Sequence, residues 1–279
     1  MKLQLPTVTL VCIDSIDPIG SSKVLEICKS KVDFGAVKLL TDKQIDYEHR
    51  AEIMPLNSLI MYSVFCLTEL YKYIDTENLL IVQKDGFILN PQSFKMEWLE
   101  LDYLAPLFIQ YDKVGSGGFS LRSKKLMEYA AFTYPKWDGT ESHANYLQSQ
   151  MSYYEDGELS MGNNFKHFKI SSLEQAADFA QGGNRTPKYF RQFPFGFHRT
   201  LQEIDFNTGE VEWITDNVHL KNSYDEEIEM LFKTLSRQSY TETFQQLRDL
   251  GMSAWDNVKC VCSALGRSKC ELNCKQYEE

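Results

Sequence analysis

In LLIVQKDGFILN, residues 79–90, four apolar residues run without a break into Gln83, Lys84 and Asp85, and Gly86 interrupts the pattern before Phe87, Ile88 and Leu89 resume it. A short apolar run bounded by turn residues predicts a buried strand. Ahead of it, Ile60, Val64, Leu67, Tyr71 and Ile74 fall at spacings of four, three, four and three, which predicts a helix over 58–74. Asp85 thus falls at the C-terminal end of a strand that follows a helix. In open α/β sheets, ligands bind outside those carboxyl ends. Two readings of Asp85 follow: a plain strand-end turn, or a carboxylate held out to a ligand or metal.

The neighbouring segments extend the same alternation. TVTLVCI, 7–13, reads as a strand that ends at Asp14. Val24, Ile27 and Cys28 mark a short amphipathic helix, and 36–40 forms a second strand closed by Thr41, Asp42 and Lys43. Strand, helix, strand predicts an α/β fold with a mostly parallel sheet flanked by helices. KVGSGGFSLRS, 113–123, is glycine-rich and precedes a helix with Leu126, Met127, Ala130 and Ala131 on one face. A further helix is expected from Glu141, and Ser171 to Glu174 reads as a capping box. Later, FPFGFH ends at His198. Beyond about residue 220, Ile228, Leu231, Phe232 and Leu235, then Phe244, Leu247 and Leu250, predict two helices, the second closed by Gly251. The expected division is a catalytic-type α/β domain over 1–220 and a helical C-terminal appendage over 221–279 with a Cys-rich tail.

With 279 residues, 43% of them hydrophobic, the chain can bury a substantial core. A formal charge of −10 argues against a protein held to nucleic acid by a general basic surface. A local basic groove stays open, with Lys84, Arg122, Lys124, Lys125, Lys166 and Lys169 among its candidates. No apolar run approaches the ~18 residues of a membrane span, and the N-terminus lacks a long apolar leader. The expectation is a soluble, cytoplasmic protein. Cys12, Cys28 and Cys66 sit singly in apolar contexts and read as reduced core residues. Cys260, Cys262, Cys270 and Cys274 crowd the tail, where four thiolates suit a structural Zn²⁺, although the spacing is not the usual C-x2-C pair.

The chemistry-bearing residues each have a bland alternative. Gly115, Gly117 and Gly118 match neither a dinucleotide fingerprint nor a P-loop. They serve a tight turn or a close approach of backbone to a ligand. His198 is a packed histidine or a metal ligand. Imidazole with carboxylate suits Mn²⁺, while Mg²⁺ leans more on oxygen. Glu141 is explained by the helix dipole alone, or is a general base. There is no Gly-x-Ser-x-Gly elbow, and Asp14 and Asp17 are too far apart for a haloacid-type carboxylate pair.

In order, TVTLVCIDS, VKLLTD, LNSLIMYSVF, IDTENLLIVQKDGFILNP, VGSGGFSLRSKKLME and FPFGFH resemble a family of bacterial and phage proteins similar to glycosyltransferases of the GT-A fold, over about residues 7–199. The resemblance implies transfer of a sugar from a nucleotide-diphosphate donor, a UDP-sugar by preference, to a hydroxyl, with inversion if attack is direct. It implies Mn²⁺ or Mg²⁺ held by Asp85 and His198. Asp85 matches the last acid of the Asp-x-Asp that such enzymes carry, with Gln83 in place of the first acid and Lys84 between. It further implies that Asp14, Thr41 and Asp42 meet the nucleoside end, and that Gly115, Gly117, Gly118 and Phe119 form the loop facing donor sugar and acceptor. Glu141 stands where related enzymes place an acidic pair containing the base, with Ser142 as the second member. The implied acceptor is a glycan. A hydroxylated base in DNA is the alternative, and a nucleotide- or carbohydrate-binding protein without catalysis is a third.

Overall fold

A computed structural model describes residues 2–84, 86–108, 113–182 and 194–198, together with the backbone of 202–204, 211–213, 219–220 and 255–256. β1 (Leu3–Ile13) leads into α1 (Pro18–Lys31), then β2 (Val32–Thr41), β3 (Arg50–Glu52) and α2 (Leu59–Thr68). β4 (Asn78–Val82) carries the LLIV run, followed by β5 (Tyr103–Leu104), β6 (Leu107–Phe108), β7 (Lys113–Val114) and β8 (Ser120–Ser123). Four helices come next: α3 (Lys124–Thr133), α4 (Glu141–Ser149), α5 (Glu155–Met161) and α6 (Leu173–Phe179). β9 (Ala180–Gln181) pairs in parallel with β10 (Gly196–Phe197). Two short antiparallel pairs follow: β11 (Gln202–Ile204) with β12 (Val211–Trp213), and β13 (His219–Leu220) with β14 (Trp255–Asp256). The predicted helices of the appendage and the four tail cysteines lie outside the described residues.

The main sheet has the order β3-β2-β1-β4-β8-β5. Its first four strands pair in parallel, and β8 is antiparallel to both of its neighbours. This is the expected α/β architecture, with one reversed strand. Alternation along the central strands fills two cores. Leu10, Cys12, Leu80 and Val82 face α1 residues such as Val24 and Cys28 on one side. Val11, Ile13, Leu79 and Ile81 face α2, α3 and α4 on the other. A strand covered on both faces has no solvent side, hence its unbroken apolar run. Among the described residues no helix is long and apolar enough to cross a membrane.

Local chemistry sets the helix starts. Asp17 caps α1 by accepting from the Gly20 amide at 3.0 Å, with Pro18 in the first turn. Ser58 caps α2 and Thr140 caps α4. Two expectations are corrected. The helix over 58–74 ends at Thr68, and its periodic tail continues as a 3-10 turn, Leu70–Tyr73. The capping box is one residue later than read: Ser172 is the cap and Gln175 closes it, since amide and acid side chains serve equally there. α5, built from EDGELSM, was not foreseen, because its glycine and its short apolar content leave no helical period to detect.

Candidate active site

Gln83 and Gly86 exchange both backbone hydrogen bonds, at 2.8 and 3.0 Å, so the chain reverses within two residues. Lys84 is one of them. Asp85, the expected metal ligand, lies outside the described residues. The returning chain pairs with the FGFH segment. The Leu89 amide donates to the Phe195 carbonyl at 2.8 Å, and the Phe197 amide to the Phe87 carbonyl at 3.3 Å. The His198 amide donates to the Gln181 carbonyl at 2.7 Å, which fixes the histidine beside the turn.

His198 is buried, with 4% exposure. Its Nδ1 meets the Ser116 hydroxyl, and its Nε2 lies 3.3 Å from Gln83 Oε1. Gln83 in turn donates through Nε2 to the Tyr62 hydroxyl at 3.2 Å. The glycine loop closes over this cluster. A Cβ on Gly118 would stand 2.2 Å from both Gln83 Oε1 and His198 Nε2, and one on Gly86 would stand 2.9 Å from His198 Cδ2. The loop therefore does bring backbone into close approach, and its partners are these two side chains.

The next glycine brings in residues that the sequence reading passed over. The Gly117 amide donates to Asp156 Oδ2 at 3.1 Å, and Asp156 Oδ1 accepts from the Gly157 amide at 2.7 Å. Burial, and then the charge of Glu155, push the Asp156 carboxyl up to about 6, outweighing the two amides and Arg122. Glu155 accepts from Ser63 at 3.0 Å and from Arg122 Nη2 at 3.3 Å. Arg122 has no exposure, so it is not part of a basic groove as its sequence position suggested. Burial works against its charge, but the pairing with Glu155 outweighs that and keeps the guanidinium protonated. The signal that could have found the pair is the density of acid in YYEDGE: Glu155, Asp156 and Glu158 in one first turn exceed what a helix dipole asks for.

Beside the cluster lies a cleft of about 540 Å³, lined among others by Asp14, Ser15, Ile16, Ser58, Tyr62, Gln83 and Lys84. It sits where the C-terminal ends of β1 and β4 meet the start of α2, and its volume is in the usual range for a small-molecule site. Lys84 Nζ pairs with Asp17 Oδ2 at 3.1 Å across its edge. Burial alone would raise the Asp17 carboxyl, but the Gly20 amide and Lys84 outweigh it and hold it below the usual carboxylate range.

The sequence-derived candidates distribute as follows. Asp14, Gln83 and Lys84 line the cleft. Asp14 is already engaged by the Ile16 and Asp17 amides and by the Ser21 hydroxyl, at 2.7, 2.9 and 2.6 Å. Thr41 is buried at the end of β2 and accepts from the Lys43 amide at 3.2 Å, while Asp42 pairs with Lys43 at 2.8 Å. Neither is a lining residue. Gly115 and Ser116 both donate to the Pro106 carbonyl, at 3.1 and 3.2 Å. Phe119 is buried below the loop, stacked on Phe179 with centroids 4.9 Å apart. Glu141 is the exposed first residue of α4, whose buried face packs on α2. The acidic residue against the glycine loop is Asp156. Among the described residues no group of three His, Cys, Asp or Glu side chains is placed to hold a metal ion.

The profile of a family described as "Protein of unknown function (DUF5672)" matches residues 46–198, more than half of the chain. The chain belongs to the DUF5672 family. The matched region of this DUF5672 protein runs from just before β3 to His198, so it contains the turn, the glycine loop, the acidic pair and the histidine. No curated protein matches this DUF5672 chain. Among solved structures, it is similar to a glycosyltransferase involved in the glycosylation of the major capsid of PBCV-1, at 13% identity and a TM-score of 0.43, covering 69% of this chain and 92% of that one. It is also similar to the galactosyltransferase LgtC, at 13% identity and a TM-score of 0.41, covering 68% of this chain and 86% of that one.

Proposed function

We propose that this DUF5672 protein is a metal-dependent glycosyltransferase that moves a sugar from a nucleotide-diphosphate donor, a UDP-sugar by preference, to a glycan hydroxyl with inversion. The observation that carries the reading is the convergence of the Gln83–Gly86 turn, His198, the Gly118 backbone and Asp156 at one edge of the sheet, beside a nucleotide-sized cleft. The order of sequence blocks that resembles GT-A glycosyltransferases supports the same reading.

The cleft takes the nucleotide, with Asp14, Ser15 and Lys84 as its polar contacts. Lys84 is released from Asp17 toward a phosphate oxygen. Asp85 and His198 would hold the metal ion, Mn²⁺ or Mg²⁺, which neutralises the donor diphosphate and stabilises it as the leaving group. The surroundings of His198 support such a role: the Ser116 hydroxyl serves either tautomer, since it both donates and accepts, and Gln83 Oε1 stands beside Nε2. Asp156 is the base in this reading, in preference to the exposed Glu141. It takes the proton of the acceptor hydroxyl, the oxygen bonds to the anomeric carbon, and the bond to the diphosphate breaks on the opposite face. A carboxyl that titrates at about 6 suits a base at neutral pH. The buried Arg122 removes one cation from the alternative DNA groove.

Calorimetry with UDP and Mn²⁺, followed by mass spectrometry of donor hydrolysis across nucleotide sugars, tests the proposal. The expected result is metal-dependent binding together with donor turnover. Binding with no hydrolysis or transfer to any acceptor would instead identify a binding protein, the reading that Gln83 in place of an acid invites.

A further inference from the structure

Arg122 has no part in the reaction as derived above, yet it is among the largest fully buried side chains. Its Nε donates to Ser120 Oγ at 2.9 Å, and its Nη2 reaches Glu155 Oε1 at 3.3 Å and the Gly117 carbonyl at 3.4 Å. Its guanidinium lies 5.5 Å from the Tyr103 ring centroid. Nη1 is buried without a hydrogen-bond partner. Enclosing an arginine in this way is costly unless the ion pair has a use beyond packing, since apolar residues of similar volume hold a core as well or better.

The two backbone groups of Gly117 are shared between this ion pair and the proposed base. Its carbonyl faces Arg122, and its amide donates to Asp156. Two adjacent carboxylates thus share one buried cation. Glu155 has that cation and the Ser63 hydroxyl, whereas Asp156 has the amides of Gly117 and Gly157. The other groups that bear on the pair electrostatically are Tyr62 and Cys66 from α2 and Tyr103 from β5. None of them carries charge at neutral pH, because burial raises the phenols and the thiol. When two acids share a dry site, the one without the direct cation takes the proton.

We propose that Arg122 is the positioning residue for Asp156: by holding Glu155 and the Gly117 carbonyl it fixes the groups on either side of Asp156 and sets that carboxylate against the Gly117 amide. This rests on the reading of Asp156 as the base. Arg122 touches neither donor nor acceptor in this scheme and acts through its neighbours.

The test is a ligand-free titration of the full chain, ¹³C-labelled at the Asp and Glu carboxyls, followed by NMR from pH 4 to 9. Asp156→Asn and Glu155→Gln assign the two resonances. In the unaltered protein Asp156 titrates near 6, as its surroundings dictate. Glu155→Gln lowers the Asp156 midpoint by about one pH unit or more. Arg122→Gln raises the Asp156 midpoint, because the nearby cation is gone, and Arg122→Lys, which keeps the charge, leaves it near its value in the unaltered protein. An Asp156 midpoint unmoved in Glu155→Gln overturns the proposal, as does one unmoved in a folded Arg122→Gln. Glu155→Gln decides the matter if Arg122→Gln does not fold. In parallel, the acid limb of kcat follows the Asp156 midpoint in each variant while KM for the donor changes little. Absence of turnover with the expected titrations sinks the glycosyl-transfer reading alone. Unmoved titrations with intact turnover sink the role of Arg122 alone.

Discussion

The backbone amide of Gly117 donates to Oδ2 of Asp156 at 3.1 Å, across 39 positions of sequence. The contact joins the glycine loop to the start of α5 and holds a half-buried carboxylate at the sheet edge. A carboxyl raised above its ordinary 3.8 to about 6 binds an extra proton in the folded state between those values.

The sign follows directly. Stability contributed by Asp156 is present below its ordinary pKa and is lost as the pH rises through about 6. Asp156→Asn removes that loss. Its melting temperature is expected to gain on the unaltered protein by a few degrees between pH 5 and pH 8, on the order of 2 kcal/mol. Transfer activity should run the other way: kcat/KM rises through the same interval, and Asp156→Asn lowers it at least ~10²-fold above pH 7, the loss shrinking as Asp156 takes up its proton at lower pH. Thermal melts and initial rates across pH check both. A parallel pair of melting curves would remove the assignment of a raised pKa.

Gly118→Ala places a Cβ against Gln83 and His198 at a distance that neither can accept. The expected outcome is a folded protein that has lost metal-dependent nucleotide binding, at a stability cost of about 1–3 kcal/mol. Circular dichroism with calorimetry separates the two effects. Unchanged UDP–Mn²⁺ affinity would show that Gln83 and His198 do not act together.

Ser116 contacts Nδ1 of His198 and so orients the imidazole. Removing such a partner of a metal-ligating histidine typically weakens metal binding about 10–100-fold. Ser116→Ala is expected to weaken Mn²⁺-dependent UDP binding by that factor, and His198→Ala and Asp85→Ala to abolish it. Titration of Mn²⁺ at fixed UDP is the measurement. Equal Mn²⁺ affinity in all three variants would dismiss the metal site.

Phe119 has no exposure and packs against Phe179 and Phe195 under the glycine loop. Phe119→Ala should cost about 3–5 kcal/mol, the usual range for such a truncation in a core. Denaturant unfolding reads this directly, and a cost under about 1 kcal/mol would mean that the loop does not depend on this ring.

The central strands were legible because a strand covered on both faces must be almost wholly apolar, as LLIV is and as LVCI is in β1. α2 was legible through its 3.6-residue period. The place of Gln83 and Lys84 at the sheet edge followed from the turn and the strand end, whereas His198 was brought beside them only by the family resemblance. What the sequence hid was non-local. Arg122 looks like a surface residue because arginines are rarely buried without a partner, and its partner lies 33 positions away. Asp156 sits in a seven-residue helix, too short to show a period. Glu141 had a clear helix-start signal, but such a signal reports capping and not proximity. The reversal of β8 depends on pairing that no local pattern records.

The four rings Phe87, Phe119, Phe195 and Phe197 come from three separate stretches of chain, and all are fully buried beneath the site. Phe87 meets Phe197 at 4.8 Å between centroids, and a Cβ on Gly196 would strike the Phe119 ring at 2.3 Å. The turn, the glycine loop and the histidine segment are therefore keyed to one another like pieces cut from one block. Loop grafting between relatives would have to exchange all three stretches as a set, since any one taken alone would carry the wrong ring into a space with no slack.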